Sequence, residues 1–109
     1  MTRKLVISSR AAVELQAAAD WWADHRSGEQ SKKWLAGFQG ALDSLKTEAE
    51  RFPLARDNDR VSFEIRQLNY GVGRRPTHRA IFTILPDTVA VLSVRHLSQD
   101  DIVGGIDLL

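Results

Sequence analysis

The chain has 109 residues, 43% hydrophobic and 27% charged, which is the make-up of an ordinary globular domain and not of a disordered or membrane-spanning protein. Its 15 Lys and Arg against 14 Asp and Glu leave a net charge of +1, too little for a surface coated in nucleic acid. The absence of cysteine excludes disulfides, thiolate zinc sites, iron–sulfur clusters and cysteine nucleophiles together.

A chain of this size buries roughly two-thirds of its unfolded surface, enough for one core, so residues 1–109 are read as a single domain. No apolar run approaches the roughly 18 residues that span a bilayer. The opening Met1–Ile7 has a basic start but no long apolar region and no small-residue cleavage site. A cytoplasmic protein with no membrane partner is expected. His25, His78 and His96 fall in no metal-ligand spacing, so neither a metal nor another cofactor is expected.

Lys4-Leu5-Val6-Ile7-Ser8 is a branched apolar run and predicts a first strand. Ser8 and Ser9 can cap a helix, and from Arg10 the spacing of Ala11, Leu15, Ala18 and Trp22 marks one helical face. That helix should fade near Arg26-Ser27-Gly28. Ser27 and Gln30 fit a capping box for a second helix, whose apolar stripe is Trp34, Phe38, Ala41, Leu42, Leu45 and Ala49. So short a turn makes the two helices an antiparallel hairpin, and Arg51-Phe52-Pro53 ends the second.

Leu54–Arg60 is a polar connection. Val61, Phe63 and Ile65 then alternate with Ser62, Glu64 and Arg66, the period of a strand with one covered face. Asn69–Thr77, with Gly71, Gly73 and Pro76, reads as a loop. Arg79–Leu85 and Thr88–Val94 predict two further strands joined by a tight Pro86-Asp87 turn. The tail from Leu97, through Ser98-Gln99-Asp100-Asp101 to Gly104-Gly105, can hold one helical turn and no full helix. The order β-α-α-β-β-β is an α+β fold: a helical hairpin on a small, mostly antiparallel four-stranded sheet.

Charge is concentrated between Val61 and Arg79, where Arg66, Arg74, Arg75 and Arg79 face a single acid, Glu64. Such a segment fits either a local anionic partner or a solvated loop. Gly71-Val72-Gly73 lacks a following helix and so does not read as a phosphate loop; its glycines serve a loop that presents Arg74 and Arg75. Arg79 could equally be paired with an acid such as Glu64. Trp21, Trp22 and Trp34 lie on the helices, one or two of them as core; an outward one would suit a partner surface.

The order of elements, with Ser9-Arg10-Ala11, Arg51-Phe52-Pro53, Ile65-Arg66-Gln67-Leu68, Arg79-Ala80-Ile81-Phe82 and Val91-Leu92-Ser93-Val94-Arg95-His96, resembles the RelE/ParE superfamily over roughly residues 4 to 97. These are the toxins of bacterial type II toxin–antitoxin modules, often labelled plasmid stabilization proteins. The resemblance implies one of two activities: ParE-like inhibition of DNA gyrase, or RelE-like cleavage of messenger RNA on the ribosome. It also implies a cognate antitoxin as partner, with operator DNA reached only through that antitoxin. A third possibility is an inactive relative that only binds an antitoxin.

Carried over by position, Arg79 matches the arginine opening the third strand and Arg66 a basic residue of the second. Glu64 stands where the nuclease members carry a lysine, and Leu97 and Val103 where they carry a late arginine and tyrosine. That incomplete set favours the non-enzymatic reading. For a nuclease, the catalytic candidates are Arg66, Arg79 and His96, which would hold phosphate and move a proton. For target or nucleic-acid binding they are Arg74, Arg75, Arg95 and Tyr70, the tyrosine either stacking on a base or anchoring its loop. If the strands pair in order, Arg66, Arg79 and Arg95 meet at one rim of the sheet.

Overall fold

The computed structural model describes residues 2–99 and 101. The elements follow as β1 (Lys4–Ile7), α1 (Ser9–His25), α2 (Gly28–Asp43), α3 (Leu45–Glu48), β2 (Arg66–Tyr70), β3 (His78–Ile84) and β4 (Thr88–His96). Short 3-10 turns occupy Ala49–Arg51 and Asn58–Arg60. The predicted α+β class and mostly antiparallel sheet are what the chain adopts. Strand order is β1-β4-β3-β2, so the first strand inserts beside the last, parallel to it, while the other two pairings are antiparallel.

The serines open both long helices. Ser8 accepts a hydrogen bond from the Ala11 amide at 3.1 Å, and Ser27 one from the Gln30 amide at 3.1 Å, each relieving an amide with no partner inside its helix. Ser8 also donates to the Leu92 carbonyl at 3.1 Å, which ties the start of α1 to β4. The two-residue turn between α1 and α2 enforces the hairpin, and Ser31 donates across it to the Ala19 carbonyl at 2.6 Å.

Two cores lie on opposite faces of the sheet. Ala11, Leu15, Ala19, Trp34, Phe38, Leu42 and Leu45 press the helices onto Leu68, Ala80, Phe82, Val89, Val91 and Val94. The alternating residues Ile81, Ala90 and Leu92 point the other way and are covered by Ala55 and Ile65, with Val61 and Phe63 packed around them. Residues 53–65 therefore cloak the back of the sheet.

This cloak is the main departure from expectation. The alternation over Val61–Arg66 predicts a strand there, yet β2 begins only at Arg66 and runs on to Tyr70, which was expected in a loop. Val61, Phe63 and Ile65 bury themselves against the second core without joining the ladder, except that the Ile65 carbonyl accepts from the Ala55 amide at 2.9 Å. The second helix also breaks at Ser44 before α3, although its apolar stripe continues through Leu45 and Ala49 into the first core. Leu97 and Ser98 form a turn; Asp100 and residues 102–109 of the expected tail, Val103 and Gly104-Gly105 among them, lie outside the described residues. Among the described residues no helix is long and apolar enough to cross a membrane.

Candidate functional site

A β-bulge sets Arg95 opposite Arg79. In the β3–β4 hairpin Phe82 faces Val91 but Ile81 faces Ser93, so Leu92 is an extra residue and the register slips by one. Beyond the slip, Arg79 is directly opposite Arg95, and His78 directly opposite His96. Arg79 and Arg95 share the back face; His78 and His96 share the helix face with Ala80 and Val94.

Arg79 is fully buried beneath the cloak. Its guanidinium donates to both Asp57 carboxylate oxygens, at 2.7 and 2.9 Å, and to Gln67 Oε1 at 3.0 Å. Both partners of the ion pair are 0% exposed. The acid is thus Asp57 and not Glu64, which instead approaches Arg66 at 3.2 Å. A fork-on-carboxylate pair with a third acceptor uses most of what Arg79 has to offer, and none of it faces solvent.

Arg66 lies elsewhere. It pairs with Phe82 near the opposite end of β2, on the helix face, and donates to the carbonyls of Phe52 at 2.6 Å and Glu50 at 3.2 Å. The expected common rim of Arg66, Arg79 and Arg95 therefore does not form, because the first faces the helices and the other two the cloak. Arg74 and Arg75 are exposed on the 71–77 loop. Gly71 makes that loop possible: a β-carbon there would meet the Arg75 carbonyl oxygen, Pro76 Cα and the Thr77 amide within 3 Å.

Tyr70 is a packing residue. Its ring stacks on Phe38 at 4.6 Å and its hydroxyl fills the notch left by Gly37 on α2. Burial raises its pKa above the usual phenol value.

The open feature is a groove of about 490 Å³ between the second half of α1 and the far ends of β3 and β4. Glu14, Ala17, Ala18, Trp21, Trp22 and Arg26 form its helix wall; Thr77, His78, Val94, His96 and Gln99 form the other. The small Ala17 and Ala18 leave the space, and the tryptophans that follow line it. Of the three tryptophans, Trp34 is fully buried and Trp21 is 48% exposed at the groove's rim. A second, smaller groove shares Trp22 and Arg26 and adds Gln30, Lys33 and Val72.

His78 and His96 meet in the groove, with ring centroids 5.0 Å apart. His78 also packs edge-on against buried Trp34 at 5.0 Å. Burial, and then the charge of neighbouring His96, lower its pKa to about 4, so it is neutral at neutral pH. His96 Nδ1 accepts from the Ser98 amide at 3.1 Å, which leaves the proton of the neutral ring on Nε2. Glu14 closes one side by accepting from Ser93 Oγ at 2.7 Å and the Val94 amide at 3.1 Å, satisfying a β4 edge that β1 is too short to cover. At the other end Arg56 reaches round from the cloak to the carbonyls of Leu97 and Gln99 and to Asp101, and so holds the turn that carries Gln99. Among the described residues no group of three or more His, Cys, Asp or Glu is placed to hold a metal ion.

Sequence comparison gives no matching family model and no matching curated protein. The fold, however, is shared with a solved structure described as a chromosomal ParDE TA system from P. aeruginosa. The superposition has a TM-score of 0.71 and covers 89% of this chain and 98% of that one, at 18% sequence identity.

Proposed function

We propose that this chain is the toxin of a type II toxin–antitoxin module, acting in the ParE-like manner by binding and inhibiting DNA gyrase, and held inactive by a cognate antitoxin. The observation that carries the toxin reading is the fold likeness, over nearly the whole of both chains, to a structure described as a ParDE TA system. The choice of inhibition over message cleavage is supported by the arginines. A phosphate-cleaving site needs accessible cations beside its acid and base. Here Arg79 is 0% exposed and committed to Asp57, and Arg66 lies on the other face from it. Among the described residues a tryptophan-lined groove stands open, which suits a protein partner better than a phosphodiester.

Inducing the gene alone, and then with its neighbouring reading frame, tests the proposal. Arrested growth that the neighbour relieves, with relaxed plasmid DNA, is the expected result. Intact growth would leave only an antitoxin-binding relative, and cut message with normal supercoiling would identify a ribosome-dependent nuclease.

A further inference from the structure

The groove's sheet wall is built on a proton-sensitive contact. His96 Nδ1 is the acceptor for the Ser98 amide at 3.1 Å and lies 2.7 Å from Ser98 Oγ. The same turn is tied back by Gln99 Oε1, which accepts from the His96 amide at 2.7 Å, and Gln99 lines the groove. A proton on Nδ1 would set two donors, the ring and the Ser98 amide, against each other. The hydroxyl can rotate to accept, but the amide cannot, so the ring or the turn must move.

Other groups also face the pair. His78 meets Trp34 from α2, pairs with Tyr70 across β2 and contacts Thr77 Oγ1 at 2.8 Å. From α1 the charged groups in the groove are Arg26 and Glu14, and the Glu14 carboxylate is engaged by Ser93, Val94 and, at 3.6 Å, Arg10. Burial, and then His96, lower the pKa of His78 to about 4.

The groove's chemistry also describes its occupant. The wall of Ala18, Trp21, Trp22 and Val94 takes an apolar side chain. The adjoining mouth carries Arg26 and Lys33, complementary to acidic residues beside that side chain. We infer that this groove takes an apolar anchor from an acidic-flanked segment of a partner protein, and does so only while His78 and His96 are both uncharged, so that acid releases the partner. The identity of the partner as a protein rests on the function proposed above; the proton control does not. An apolar occupant strips water from both rings and favours their neutral forms, so binding and protonation oppose each other.

The neutral apolar fluorophore N-phenyl-1-naphthylamine tests this on the full chain, with circular dichroism confirming that the fold persists at each pH. Excluding one proton weakens binding by roughly tenfold per pH unit below the pKa of the group concerned. Weaker binding at pH 5.5 than at pH 7.5 is expected. His96→Gln should bind equally at both values, and Trp21→Ala should bind poorly at both. Equal or tighter binding of the native chain at pH 5.5, undiminished binding by Trp21→Ala, or a pH response retained in His96→Gln would overturn the inference. Capture of the neighbouring gene's product at pH 7.5 is a separate readout: its failure with the fluorophore behaving as expected would remove the toxin reading and leave the proton control standing.

Discussion

Asp57 grips Arg79 through both carboxylate oxygens, at 2.7 and 2.9 Å, with neither residue reaching solvent. The pair fastens the 53–65 segment to the central strand β3 and holds the back of the sheet closed. Removing one partner of a buried ion pair leaves the other charge without compensation, which costs about 3–5 kcal/mol. Asp57→Ala should therefore lower stability by roughly that amount in urea denaturation. Replacing both residues by apolar ones of similar volume should cost far less. A single substitution with the stability of the native chain would show that the pair fastens nothing.

Gly37 and Tyr70 make a second fitted contact. The tyrosine hydroxyl occupies the space that a β-carbon at Gly37 would need, and the ring Cζ would lie 3.2 Å from it. Overpacking of this kind costs about 1–3 kcal/mol, so Gly37→Ala should destabilise despite alanine's better helix propensity. Tyr70→Phe in the same chain removes the clashing oxygen and should recover part of the loss. A double-mutant cycle in urea measures the coupling directly; additive effects would contradict the fit.

His78 makes stability depend on acid. In the native chain its pKa is lowered to about 4, first by burial and then by His96, whereas a free imidazole titrates near 6.5. Between these values the unfolded chain takes up a proton that the folded chain refuses. Stability is thus complete above about pH 6.5, falls as pH drops towards 4, and levels off below that. Urea midpoints at pH 7.5, 5.5 and 4.5 should decline in that order, and His78→Gln should flatten the decline.

Glu14 satisfies the exposed edge of β4 through the Val94 amide and the Ser93 hydroxyl. Glu14→Ala leaves these buried donors without their acceptor, at a cost of about 1–3 kcal/mol. Glu14→Gln retains an acceptor oxygen and should be milder. Faster hydrogen exchange at the Val94 amide in Glu14→Ala is the specific sign to look for.

Much of this architecture is legible in the sequence because local signals agree there. Ser8 and Ser27 cap where capping chemistry places them, and Pro86-Asp87 turns the hairpin. The alternation of Val61, Phe63 and Ile65 misleads because burial under a cloak and burial in a ladder impose the same pattern. The face of Arg95 is hidden by the extra residue at Leu92, since a slip of one position turns every later side chain over, while the opposite faces of Arg66 and Arg79 follow from the regular β2–β3 pairing. Counting outward from Pro86-Asp87 brings His78 and His96 near each other, but only the bulge sets them opposite. The partner of Arg79 was unreadable because Asp57 is 22 residues away and meets it only when the cloak folds across the sheet.

The most direct measurement of the functional account is a purified reaction holding DNA gyrase in one arm and translating ribosomes in the other. The account predicts that the protein abolishes supercoiling, that Arg66→Ala leaves this inhibition intact, and that messenger RNA on the ribosomes stays whole. Cleaved message alongside undisturbed supercoiling would contradict it.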